Sequence, residues 1–108
     1  MILRVQLVPE PGFHLFAALT KREIEIAKSG RGTFYRRGRK TRDRRKWAHK
    51  SYGGWIRLER SAGEVVVAEV HESKGSDSWQ LLQAFVGFAV RHCADHIESI
   101  HIQIPRAG

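Results

Sequence analysis

SDSWQLLQAFVGFAVRHCADH, residues 76–96, is the longest strongly periodic stretch of the chain. At 100° per residue, Phe88, Leu81, Phe85, Ala89, Leu82, Cys93, Val86, Trp79 and Val90 gather in one arc of roughly 200°. A surface helix needs an arc of only ~100°. The stretch therefore reads as a helix covered on more than one side, by a sheet and by a second helix or a second subunit. Asp77 is placed to accept from the first-turn N–H groups, and Gln80 to reach back as in a capping box. Gly75 frees the chain before it, and His92 and His96 suit the negative end of the helix dipole.

The flanking segments read as strands. Ile2 to Val8 alternates, with Leu3, Val5 and Leu7 on one side, and Pro9 and Pro11 end it. Trp55 to Arg60 puts Ile56 and Leu58 on one face, and Ser61-Ala62-Gly63 is a turn. Glu64 to Glu72, with its β-branched run, completes a hairpin. Ile97 to Ile104 is a last strand, with Ile100, Ile102 and Ile104 inward. Gly12 to Lys28 fits a helix whose apolar face is broken by Glu23, although residues 22–26 also alternate as a strand would. The expectation is α+β: an antiparallel-rich sheet with one long central helix packed on it, in the ferredoxin-like order βαββαβ. The alternative is a larger antiparallel sheet wrapped on one helix.

At 108 residues, 42% hydrophobic and 28% charged, the chain suits a single globular domain over residues 1–108. The lone cysteine, Cys93, excludes an internal disulfide and falls in the apolar arc, so it reads as a core residue. The N-terminus lacks the pattern of a signal peptide, and no apolar run reaches the ~18 residues of a membrane span. A cytoplasmic protein without membrane contact is the expectation, and the breadth of the helix arc favours a homodimer.

Charge is concentrated in one place. Residues 31–50 hold ten of the 19 basic residues and one of the 11 acidic ones, so the segment carries +9 of a formal net charge of +8. The bases are Arg31, Arg36, Arg37, Arg39, Lys40, Arg42, Arg44, Arg45, Lys46 and Lys50. Arginine forks match phosphate geometry, and clustered cations gain affinity by releasing counterions. Phe34, Tyr35, Trp47, Tyr52 and Trp55 lie among or beside them, and aromatic faces stack bases. Trp47 and Tyr52 join the basic residues as candidate contacts to nucleic acid or another polyanion. Thr33 to Tyr35 reads as a short strand, and Gly38 to Lys46, which buries nothing apolar, as an exposed mobile loop. The outward residues of the first and third predicted strands lack the stacking aromatics of an RNA-recognition motif.

A second constellation is Glu59, then Glu69-Val70-His71, then a helix carrying Gln80. It resembles the restriction-endonuclease-like nucleases, in which an acidic residue precedes a Glu-x-Lys strand. The resemblance covers residues 55–90, with His71 where the family has lysine and Glu59 where it has aspartate. It implies a divalent-metal nuclease using Glu59, Glu69 and His71. His92 and His96 have the spacing of a metal clamp on a helix but no third ligand. Phosphate loops, nucleophile elbows and Cys-x-x-Cys pairs are absent, so no cofactor is expected. A non-catalytic binding protein is the leading reading, with a homo-oligomeric interaction protein as the alternative.

Overall fold

A computed structural model of the chain describes residues 2–74 and 77–105. Gly75 and Ser76, assigned above to the helix entry, lie outside the described residues. Six strands form one antiparallel sheet: β1 (Ile2–Pro9), β2 (Phe34–Arg36), β3 (Arg44–His49), β4 (Trp55–Arg60), β5 (Val66–His71) and β6 (Ile97–Gln103). Their spatial order is β2-β3-β4-β5-β1-β6. The helices are α1 (Leu15–Lys28) and α2 (Ser78–Cys93). The α+β class holds. The sheet has six strands, because a β2–β3 hairpin is inserted between α1 and β4 and extends the sheet beyond β4.

One core joins the sheet to both helices. Leu3, Val5 and Leu7 of β1, Ile56 and Leu58 of β4, and Val66, Ala68 and Val70 of β5 are buried against Leu81, Leu82, Phe85 and Ala89 of α2 and Leu15, Phe16 and Leu19 of α1. The ambiguous stretch is helix because only that geometry brings Leu15, Phe16 and Leu19 to one face. Asp77 caps α2 as expected: its Oδ1 accepts from the Trp79 N–H at 2.9 Å. Cys93 is buried, which pushes its thiol pKa up.

Four assignments change. Pro9 belongs to β1 rather than ending it. It lies opposite Ile97 at a register shift in the β1–β6 pairing, where irregular pairing tolerates a residue without an N–H. Residues 44–46 are the start of β3, not loop. Trp47 is 1% exposed, at the centre of an aromatic cluster with Phe34, Phe85 and Phe88 at centroid distances of 5.7, 6.1 and 5.4 Å. α1 and the aromatics of the inserted hairpin both pack on α2, while Trp79 and Val90 of the predicted apolar arc stay 40% and 41% exposed. Finally, Ile102 and Ile104 are 43% and 59% exposed, and Ile100 is only half-buried. β6 is an edge strand, while α2 packs on β1 and β5, so no described element roofs the distal end of β6.

Candidate nucleic-acid interface

The pleat of the β2–β3 hairpin sorts the basic segment onto two faces. Cross-strand partners share a face. Arg45 lies opposite Leu58 and Trp47 opposite Ile56, so Arg45 and Trp47 point to the helix side, as does Arg36 opposite Trp47. Arg44 and Lys46 point to the other, helix-free face of the sheet, together with Tyr35.

Of the two helix-side arginines, Arg45 is structural and Arg36 is exposed. Arg45 is half-buried, and its guanidinium sits 5.4 Å from the centre of the Phe16 ring. Its Nη1 donates to the carbonyl oxygens of Thr41 and Arg44. Glu23 of α1 is buried beside this group at 5% exposure. Burial raises its carboxyl pKa, and the Arg36 charge, a hydrogen bond from the Arg36 backbone N–H and the Arg45 charge oppose that rise without cancelling it. The acid that interrupts α1's apolar face is therefore the point where α1 meets the hairpin.

The β2–β3 connection is tied at its C-terminal side. Asp43 accepts from Arg60 Nη2 at 2.6 Å, its carbonyl accepts from the Arg60 N–H at 2.8 Å, and Arg45 holds Thr41. This anchoring, with the strand at residues 44–46, replaces the uniformly loose loop expected over Gly38 to Lys46. The side chains of Arg37, Arg39, Lys40 and Arg42 are exposed and make no ion pair among the described residues. Arg31 and Lys50 are at the opposite end of the hairpin, where the Lys50 N–H donates to the Thr33 carbonyl.

The helix-free face carries a linked row of polar and aromatic side chains. Lys46 Nζ lies 4.1 Å from the centre of the Trp55 indole, which is itself stacked on His71 at 3.9 Å and 5°. Glu69 receives Arg57 Nη2 at 2.5 Å and Arg4 Nε at 3.2 Å, and His71 Nε2 lies 3.4 Å from it. Burial raises the Glu69 carboxyl pKa, but the Arg57 charge and the His71 and Arg4 hydrogen bonds outweigh it, and the net direction is down. Glu59 pairs with Arg44 at 3.5 Å. Four cations, Arg4, Arg44, Lys46 and Arg57, thus share the face with two carboxylates. Arg4 and Arg57 escaped the sequence reading because only strand pairing brings them beside the basic segment.

The other candidates are placed as follows. Glu59, Glu69 and His71 do share the helix-free face, but both carboxylates are engaged by arginines, and no group of three or more metal-ligating side chains occurs among the described residues. Tyr52, 37% exposed, is stacked on His49 at 4.6 Å. Tyr35 is 41% exposed on the outer face. Trp47 is in the core and presents no ring to a base. His92 and His96 part company: His92 Nδ1 accepts from Arg22 Nε at 3.2 Å, while His96 stacks on Phe13 at 4.1 Å and bonds Glu10 at 2.6 Å. No helix among the described residues is long and apolar enough to cross a membrane. No family model, curated protein or solved structure matches the chain.

Proposed function

We propose that this chain binds nucleic acid, or another polyanion of similar charge density, through the β2–β3 loop and the adjoining helix-free face of the sheet. The observation that carries the reading is the run of cations without an ion pair among the described residues, Arg37, Arg39, Lys40 and Arg42, beside a sheet face that bears Arg44, Lys46 and the exposed ring of Tyr35. Free guanidinium and ammonium groups can each neutralise a phosphate and release its condensed counterion. Tyr35 offers a stacking face to an unpaired base, which favours single strands. Trp55 contributes less directly, since Lys46 and His71 already pack against its ring.

The test is oligonucleotide affinity measured over a range of salt. Four to six phosphate contacts give a log–log slope of about −3 to −5. Replacing Arg39, Lys40 and Arg42 by Ala reduces that slope by about 2–3 units and leaves the melting temperature unchanged. Arg45 stays out of the set, because its loss would disturb the loop and the Phe16 contact. Tyr35→Ala costs about 1–3 kcal/mol on single strands and little on duplex. Binding that persists near molar salt, or that ignores the triple replacement, would overturn the reading.

A second reading, self-association, rests on the β6 edge. That strand is seven residues long, with Glu98 its only acidic or basic residue apart from His101, and it ends beside exposed Ile102 and Ile104. The opposite edge, β2, is three residues long and flanked by arginines, which is how exposed edges are protected. An antiparallel edge can pair with its own copy about a two-fold axis. A solution mass of two chains, returned to one by Ile102→Lys, supports this reading; a monomer at high concentration removes it.

A further inference from the structure

A second basic cluster lies away from the β2–β3 loop, around a cavity of about 120 Å³ between the C-terminal ends of the two helices and the start of β2. Arg31 reaches it from the α1–β2 connection, and Arg91 and His92 from the last turn of α2. Phe34, Phe88 and Ile26 supply apolar walls. The volume is well above the ~10–15 Å³ that one water requires and below the ~300 Å³ of a cofactor-sized pocket. It suits a group of a few heavy atoms.

The two arginines that line it are not spent on the protein. Among the described residues neither Arg31 nor Arg91 has an ion-pair partner. Arg22 donates Nε–H to His92 Nδ1 at 3.2 Å, so a neutral His92 carries its proton on Nε2 and is a donor there. The edge-on contact of Phe88 with His92, at 4.6 Å, holds the ring. Burial, then the charges of Arg22 and Arg91, lower the His92 pKa, so two guanidinium groups stand close to the ring. Glu23 also lines the cavity. Burial raises its carboxyl pKa while the Arg36 and Arg45 charges act against that rise, and those two arginines offset the negative charge Glu23 brings to the wall.

We propose that this cavity binds the phosphate group of a phosphomonoester, held by the guanidinium groups of Arg31 and Arg91 and the Nε2–H of His92. Charge-assisted hydrogen bonds from arginine forks are the strong ones, and a phosphomonoester is largely dianionic above its second pKa of about 6. The phosphate could belong to a small molecule or to the 5′ end of a strand, and the apolar walls accept the carbon side of either. The inference does not depend on the loop reading, since only Arg31 belongs to both sets.

The experiment is an NMR titration of the intact chain with inorganic phosphate and then a mononucleotide monophosphate. The expected result is saturable shifts at the amides of Gly32, Arg91 and His92 and an upward shift of the His92 pKa on binding. Arg91→Ala and Arg31→Ala should each weaken binding about tenfold or more, by loss of a charge-assisted bond. The Arg39, Lys40 and Arg42 replacements should leave it unchanged. A 5′-phosphorylated oligonucleotide that outbinds its 5′-hydroxyl twin, with the advantage lost in Arg91→Ala, identifies a strand end; mononucleotide binding without that advantage identifies a small ligand. No saturable shift at these residues, or phosphate binding abolished equally by the loop replacements, would overturn the proposal.

Discussion

Trp47→Ala separates the two roles this residue can have, core or contact. Trp47 is 1% exposed and meets three aromatic rings, from β2 and from two turns of α2. Truncating a fully buried tryptophan costs ~3–5 kcal/mol, and the edge-on pairs with Phe85 and Phe88, each worth ~0.5–1.5 kcal/mol beyond area, place this site at the upper end. A domain of this length has ~5–15 kcal/mol of stability. At roughly 4–8 °C per kcal/mol, a loss of ~5 kcal/mol lowers the melting temperature by about 20–40 °C. Urea and thermal melts followed by far-UV circular dichroism measure it. Fluorescence adds a check, since Trp47 should resist iodide quenching while Trp79, 40% exposed, is quenched. A loss below about 1 kcal/mol, accompanied by weakened oligonucleotide binding, would refute the core placement and return Trp47 to the interface.

Three further outcomes follow from single sites. Glu23 has a raised folded pKa, so its favourable contribution is present below the ordinary carboxylate range and is lost as pH rises through the folded value. Glu23→Gln should therefore raise stability at pH 7.5 relative to pH 4 in paired thermal melts, and a less stable variant at pH 7.5 would mean the arginines outweigh burial. Glu69 has a lowered folded pKa, so its contribution is present above the ordinary range and disappears as pH falls through the folded value. Glu69→Gln should flatten the acid limb of the denaturation midpoint against pH, and an unchanged limb counts against the Arg57 and Arg4 clamp. Gly54 has φ +93°, and a Cβ there would stand 2.2 Å from the His71 carbonyl oxygen. Gly54→Ala should cost more than the ~1 kcal/mol of φ strain alone, since β4 and β5 must part; an undisturbed melt would show that the approach is looser.

The sequence by itself determined the local periodicities. The α2 stretch, the alternation of β1, β4 and β5 and the Asp77 cap were legible because each is a repeat or a spacing within one segment. The breadth of α2's apolar arc pointed to a second cover, and α1, one of the two sources weighed, packs there, but Trp79 and Val90 at the margin of the arc are exposed. What tertiary structure decided is where the basic segment's side chains go. No periodicity in 44–49 marks a strand, because Arg45 occupies an inward position usually held by an apolar residue. It is tolerated there by Glu23, the Phe16 ring and two carbonyl oxygens, all distant in sequence or set by the fold. Pairing β3 with β4 then turns Trp47 into core and carries Arg44 and Lys46 to the face shared by Arg57 and Arg4. The Arg31, Arg91 and His92 cluster joins residues some sixty positions apart in sequence. Sequence spacing encodes which face of its own element a side chain takes, but only packing between elements brings charges from several of them around one cavity or onto one open face.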